Sequence, residues 1–398
     1  MKEGDQEAAP HSKNHKKAMV IAIGIFLLLG IAYFCYWFFW GRFHEYTNDA
    51  YVDGNMVIVT PQVPGIVTSF TALSTDFVTK GRILVALDKT DAWIALDQSK
   101  AQLANAVREV ERMFEDVHAL YAAISMKKAL FVRAAQDYER RMALIEEGAV
   151  SREDFEHAAA DVQAAYADLV STEHSFIAAL AQIDGTTPYT HPLVEKAKDQ
   201  LRDAFVFLQR CTIIAPVTGI VAQRSVQVGE HVKKGQPLLA IVPLDQMWVI
   251  ANFKEVQLGK MRIGQSVKVT SDIYGGRVVF DGTVVGIGGG TGAVFSVLPP
   301  QNATGNWIKI VQRIPVKIDV PADMLAKYPL RLGLSMEATV NLYAVDLPMV
   351  PSPKPPEPLY STDVFARQEE GAEELIVKII AENLSEHFLE DMSSSEEE

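Results

Sequence analysis

Two cysteines in 398 residues are too few for a disulfide framework. Cys35 lies in an apolar run and Cys211 far from it, so no intrachain bridge is expected. Basic residues are also in deficit. Thirty-seven Lys and Arg against fifty Asp and Glu leave a net charge of −13, which excludes a phosphate-binding face and hence nucleic acid as a partner. The nine histidines are scattered without metal-ligand spacing. No Ser/His/Asp or paired-carboxylate arrangement emerges, so no cofactor and no enzyme is expected. Glycine is nearly missing from mid-chain: between Gly81 and Gly185 only Gly148 occurs.

Long apolar runs are absent except for one. Residues 18–40, from Ala18 to Trp40, read AMVIAIGIFLLLGIAYFCYWFFW, 23 residues without a charge. A helix of that length crosses a hydrocarbon core of about 30 Å. Tyr36, Trp37 and Trp40 gather at one end like an interfacial belt. The run is too long, and too aromatic at its end, for a cleaved signal peptide. Lys13, Lys16 and Lys17 precede it and only Arg42 follows closely. The positive-inside rule then puts residues 1–17 in the cytoplasm and the body outside it.

The body contains a split repeat. VPGIV (63–67) and VTKGRIL (78–84) return as VTGIV (217–221) and VKKGQPL (232–238), both at an offset of 154 residues. Gly65 maps to Gly219 and Gly81 to Gly235. Each copy alternates apolar and polar residues, and these four glycines fall where tight turns are expected. A unit so small cannot bury a core alone. The two copies are therefore expected to pack as one β-sandwich, with the chain between them inserted as an excursion.

That excursion is helical. Leu96, Leu103, Val110, Val117, Ile124, Phe131, Tyr138 and Ile145 recur every seven residues. A second stripe of Val107, Phe114, Tyr121, Ala135 and Met142 runs four behind, interrupted by Lys128. Phe155, Val162, Leu169, Phe176 and Ile183 resume the period after Gly148. A sustained heptad predicts a left-handed coiled coil, and a short loop makes its two helices antiparallel neighbours. GTTPYTHP (185–192) breaks the return helix before it leads into the second copy. With both ends tied at the sandwich, Gly148 permits the reversal at the far tip. Ser151 is the expected N-cap of the return helix, with Asp154 in the place of a capping-box Glu.

Residues 245–347 alternate strongly and predict a β-barrel, to which the segment after the membrane adds a strand. The predicted fold is an elongated multidomain α+β chain with a single N-terminal membrane helix, a split lipoyl-like β-sandwich, a long antiparallel α-helical coiled-coil hairpin and a β-barrel. Its parts are a cytoplasmic tail (1–17), the membrane helix (18–40), barrel strand (41–62), first half-motif (63–90), hairpin (91–210), second half-motif (211–244) and barrel (245–347). A Pro-rich extended spacer (348–360) and an acidic tail (361–398) follow. In the tail Leu375, Ile376, Ile379, Ile380 and Leu384 line a short helix before a disordered end.

Other motifs carry less. GIGGGTG (286–292) lacks the Lys-Ser/Thr of a phosphate loop and reads as a barrel loop. Lys89 stands near where a biotin- or lipoyl-bearing lysine would sit, but the long helix starts there and leaves a swinging arm no room. Asn302 opens a chance-level glycosylation triplet.

In their order these parts resemble the periplasmic adaptors, or membrane fusion proteins, of the HlyD superfamily, and within it the EmrA branch. The resemblance is carried by TNDAYVDGNMVIVTPQVPGIV (47–67), HPLVEKAKDQLRDAF (191–205), APVTGIVAQRSVQVGEHVKKGQPLLAIVP (215–243), GNWIKIVQRIPVKI (305–318) and PLRLGLSMEATV (329–340). It covers roughly residues 47–347. It implies an inner-membrane adaptor for multidrug efflux, which joins a transporter, usually of the major facilitator type, to a TolC-like outer-membrane channel and self-associates around the conduit. It also implies a tip motif of Arg, Leu four later and Ser seven beyond, which Arg140, Leu144 and Ser151 fit around Gly148. The alternatives are protein or peptide export, and a coiled-coil envelope scaffold with no transport role.

Overall fold

A computed structural model describes residues 13–292, 294–295, 311–353 and 356–385. Helix α1 (Lys13–Phe39) is the apolar segment, and its window of mean hydropathy 2.6 runs from Ala18 to Phe43. It passes almost directly into strand β1 (His44–Gly54). The joint is aromatic: Trp40 stacks on His44 at 4.2 Å, Phe43 stacks on Tyr343 at 4.5 Å, and the Tyr343 hydroxyl donates to the Phe39 carbonyl at 2.9 Å. With so little slack, the barrel is held directly against the end of α1.

The barrel closes in the order β1-β10-β13-β12-β11-β14, with β10 (Met247–Lys254), β11 (Ser266–Ser271), β12 (Val279–Ile287), β13 (Arg313–Asp319) and β14 (Ser335–Asn341). Strict alternation turns one side of each strand inward, and Val249, Phe253, Val269, Phe280, Val316 and Ile318 are fully buried. A short helix α5 (Ala322–Lys327) closes one end through buried Leu325. The GIGGGTG segment leaves β12 as an irregular loop. The first half of GNWIKIVQRIPVKI and the Asn302 triplet lie outside the described residues.

The two half-motifs interleave. One sheet runs β2-β9-β7-β4 and the other β6-β5-β3-β8. Their strands are β2 (Val57–Val59), β3 (Gly65–Phe70), β4 (Phe77–Val78), β5 (Ile83–Leu87), β6 (Thr212–Ile214), β7 (Gly219–Arg224), β8 (His231–Val232) and β9 (Leu239–Val242). Strand β3 of the first copy pairs with β8 of the second, and β4 pairs with β7. Neither copy owns a sheet. The equivalent residues Val67 and Val221, Val78 and Val232, and Leu84 and Leu238 are all fully buried together.

Two expectations are corrected here. Strand β2 pairs with β9 and so belongs to the sandwich, not to the barrel segment 41–62 in which the sequence placed it. Alternation alone cannot say which sheet a strand joins. Of the four glycines, only Gly81 (φ 84°) and Gly235 (φ 81°) occupy the left-handed conformation of a turn. Gly65 and Gly219 open strands, and Gly219 is required by close approach: a Cβ there would meet the Val242 carbonyl.

The hairpin consists of α2 (Thr90–Ile145), α3 (Arg152–Ile183) and α4 (Pro192–Arg210). Helix α2 is 56 residues long, about 84 Å. Lys89 is its N-cap residue. Near the sandwich both stripes are buried, with Leu96, Leu103, Val107, Val110 and Val117 at 6% exposure or less. Further out the second stripe fails: Tyr121 is 66% and Met142 50% exposed. Two helices share one seam, so only one stripe has a partner there. The first stripe carries the Phe131–Tyr166 and Tyr138–Phe155 ring contacts across the seam, while Tyr121 keeps only a tilted contact with Phe176 at the seam's edge.

The break between α3 and α4 is a locked elbow. His191 caps α4, its Nδ1 accepting the Leu193 N–H at 3.2 Å, so Nε2 carries the proton it shares with the Gln182 carbonyl at 3.1 Å. The Lys198 side chain is 2% exposed. Its ammonium donates to the Tyr189 carbonyl at 2.8 Å and to Glu195 at 2.9 Å, and lies 3.2 Å from the Tyr189 ring centre. That triple satisfaction is what lets a charge stay buried.

The C-terminal helix α6 (Ala372–Asn383) lies against α2 and α4 and buries Ile376, Ile379, Ile380 and Leu384 in the sandwich-proximal core. The expected apolar face is there, but it is docked rather than free; the end beyond Ser385 lies outside the described residues.

Gly219→Ala is expected to lower stability by about 1–3 kcal/mol, because the Val242 carbonyl cannot move aside without breaking the β7–β9 ladder. Gly65→Ala, whose Cβ meets only the Leu87 side chain at 3.4 Å, should cost less. Thermal denaturation of the pair orders them.

Candidate functional site

The far end of the hairpin brings together Arg140, Leu144, Gly148 and Ser151. Helix α2 stops in a Schellman pattern: the Gly148 N–H bonds the Ile145 carbonyl and the Ala149 N–H bonds the Leu144 carbonyl, both at 3.1 Å. Gly148 supplies the positive φ of 76° that this closure needs, with open space around it.

Ser151 caps the return. Its Oγ accepts the Asp154 N–H at 3.1 Å and donates to the Asp154 carboxylate at 2.6 Å. The capping box expected from Ser151 and Asp154 is therefore altered. Asp is one methylene shorter than Glu, and its carboxylate meets the Ser151 hydroxyl instead of the N-cap backbone N–H. The hydroxyl's one proton is thereby engaged.

Arg140 and Leu144 face outward. The Arg140 side chain is 70% exposed and holds one partner, Asp137, at 3.0 Å; Leu144 is 42% exposed. They lie four residues apart, so a cation and an apolar surface share one helix face beside the turn. Met142 adds a second exposed apolar side chain.

Sequence reasoning missed Arg141. Its guanidinium donates to the Asp154 carbonyl at 2.9 Å and pairs with Asp137 at 3.0 Å. It thus ties α2 to the start of α3, while Tyr138 stacks on Phe155 at 5.1 Å one turn below. Adjacent residues on a helix point about 100° apart, so of the pair Arg140–Arg141 one must face the partner helix while the other faces out. That was the available signal.

Asp137 receives both arginines. The Arg140 hydrogen bond outweighs the opposing desolvation and, with the nearby charges of Arg141, Arg140 and Arg133, holds its carboxyl below the usual range. Among the described residues no group of three His, Cys, Asp or Glu is placed to hold a metal ion. The arrangement offers contact chemistry: a capped turn, the exposed guanidinium of Arg140 and adjacent apolar surface.

Comparison with known proteins gives a consistent family. A family model described as "EMRA, alpha-helical hairpin domain" matches residues 90–211. The "Multidrug export protein EmrA" of Haemophilus influenzae is 41% identical over 377 residues, covering 95% of this chain and 97% of that relative. The "Probable multidrug resistance protein EmrK" of Escherichia coli is 42% identical over 376 residues, 94% of this chain and 97% of the relative. The "Fatty acid resistance protein FarA" of Neisseria gonorrhoeae is 42% identical over 308 residues, 77% and 78%. Among solved structures, one titled "Structure of the periplasmic adaptor protein EmrA" aligns with 75% of this chain and 99% of its own, at 20% identity and a TM-score of 0.39. The first alignment leaves only 5% of this chain unmatched. The similarity therefore extends into the C-terminal segment, beyond the limit at residue 347 that the sequence strings suggested.

Asp137 has a depressed carboxyl, so its contribution to the tip is present above the unfolded value near pH 3.9 and is lost as pH falls through the folded value. Amide protection at residues 148–154, taken relative to the intrinsic exchange rate at the same pH, should fall at acid pH, and Asp137→Asn should show the low protection already at neutral pH. Equal exchange in parent and variant at neutral pH would count against this coupling.

Proposed function

The chain belongs to the EmrA branch of the membrane fusion proteins and is an adaptor of multidrug efflux; from that premise we propose that it bridges a major-facilitator transporter in the inner membrane and a TolC-like channel in the outer membrane. On this reading the chain is held in the inner membrane by its N-terminal apolar helix, the one such helix among the described residues, with residues 1–17 cytoplasmic and the body periplasmic. The export and resistance names of its relatives favour efflux over protein export or a transport-free scaffold.

The observation that carries this reading is the geometry of the hairpin. Its two ends enter one interleaved sandwich, and its only free end lies about 84 Å away. At that end Arg140 and Leu144 are exposed on a capped turn. Arg140 offers charge-assisted donors to channel carbonyls or carboxylates, and Leu144 and Met142 offer apolar contact. Gly148 makes the turn, and Ser151 holds it and presents its one remaining lone pair. The work asked of the protein is positional, and we assign it no catalytic step.

Self-association supplies the wall of the conduit, since one two-helix hairpin encloses nothing. Tyr121, Met126, Leu130, Tyr166 and Ile177 expose apolar side chains along the hairpin. Such a series is more than a lone soluble helix pair ordinarily leaves in water, and it supports side-by-side packing of copies.

Arg140→Ala with Leu144→Asp should leave expression and membrane insertion normal while abolishing channel crosslinking and drug resistance. These two positions are chosen because Ser151→Ala would also remove a helix cap, at about 1 kcal/mol. Persistence of both crosslinking and resistance would eliminate the tip as the contact.

A further inference from the structure

The C-terminal segment touches each periplasmic body in turn. Leaving the barrel, the Ala344 carbonyl accepts from Gln265 Nε2 and the Pro348 carbonyl from the Ile263 N–H, both at 2.9 Å. At the sandwich, Thr362 Oγ1 donates to the Pro216 carbonyl at 2.8 Å and Asp363 pairs with Lys80 at 2.6 Å. Lys80 belongs to the first half-motif and Pro216 to the second, so the segment is bonded to both. Phe365 and Gln368 then roof a cleft of about 310 Å³ between the edge strands β2 and β6. Covering sheet edges is a recurrent need of open sandwiches.

Helix α6 continues from there along the hairpin. Glu373 meets Arg202 of α4 at 2.6 Å, while Asn383 accepts from Arg108 of α2 at 2.6 Å and the Ser385 N–H reaches Glu111 at 3.0 Å. The helix therefore runs outward from the sandwich in the groove between α2 and α4. Its buried side chains Ile376, Ile379 and Ile380 share one core with Leu103, Val107 and Leu201. The base of the hairpin is thus a three-helix bundle, whereas the outer part has two helices.

We propose that residues 361–385 form an intramolecular strap whose docking sets the direction of the hairpin against the sandwich and barrel. Without it the hairpin is joined to the sandwich through Asp88 and Lys89 at one end and Cys211 at the other. Bodies linked so briefly move relative to one another unless a large apolar interface restrains them. A tilt of about 10° at the base would displace a tip 84 Å away by roughly 15 Å. The strap places that restraint at the fulcrum, where a small contact controls the largest displacement. The strap itself stands on contacts within the chain; its importance to efflux rests on the adaptor reading above.

The test uses the full membrane-inserted chain with spin labels at Glu147→Cys and Asp323→Cys in a Cys35→Ser, Cys211→Ala background. Ile376→Asp with Ile380→Asp should detach α6. The tip-to-barrel distance distribution should broaden while the helix content of α2–α4 persists, and drug resistance should fall. Val377→Asp, at a 51% exposed position on the same helix, should leave both readouts at the parent level. If the double variant unfolds the chain, truncation after Ser361 gives the same comparison with no buried charge. An unchanged distance distribution once α6 is detached or removed would overturn the strap, whatever the resistance. A broadened distribution with full resistance would retain the strap and count against the adaptor reading.

Discussion

Everything beyond α1 depends on the pairing of two half-motifs that lie 154 residues apart in the chain. Strand β3 has no neighbour but β5 in its own copy until β8 arrives, and β4 has none until β7 does. Burial of the equivalent valines and leucines from both copies in one core is the energy that holds the ends of the excursion together. The consequence is geometric. A chain that leaves and re-enters one small sandwich must turn somewhere, and a helical excursion turns farthest from its origin. The exposed tip follows from a contact made at the opposite end of the hairpin.

The same logic grades rigidity along the molecule. At the base the hairpin has a third helix, a buried lysine elbow and two seams of apolar contact. Midway it has one seam and exposed aromatic and aliphatic side chains on its flanks. At the tip it is held by an aromatic stack and a single cross-helix arginine. Apolar surface without a partner inside the chain is surface available outside it, and here it lies along the middle of the hairpin. The joint between α1 and β1 is different again: four residues separate them, and aromatic stacking leaves the barrel little freedom to swing relative to α1.

Much of this was legible in the residues. The heptad stripe from Leu96 to Ile145 predicted the seam, the fixed offset between VPGIV and VTGIV predicted the shared sandwich, and Gly148 with Ser151 predicted the turn and its cap. These signals are local or strictly periodic, and local geometry decides them. Less legible were the roles of Gly65 and Gly219, which look like turn glycines in sequence but open strands. Nor could alternation in 57–59 show that β2 joins the sandwich, since an edge strand looks the same beside either sheet.

By itself the sequence determined the kinds of element and their order: an uncharged 23-residue run long and apolar enough to cross a membrane, a seven-residue period that a paired helix satisfies, and alternating segments that sheets satisfy. The tertiary structure decided which elements share a core. It set β2 against β9, turned Arg141 inward and Arg140 outward, buried Lys198 at the elbow, and laid the C-terminal helix into the groove at the hairpin base. The physical reason is that periodicity records which face of an element is apolar, whereas the partner for that face is chosen by shape and by hydrogen bonds between residues far apart in the chain.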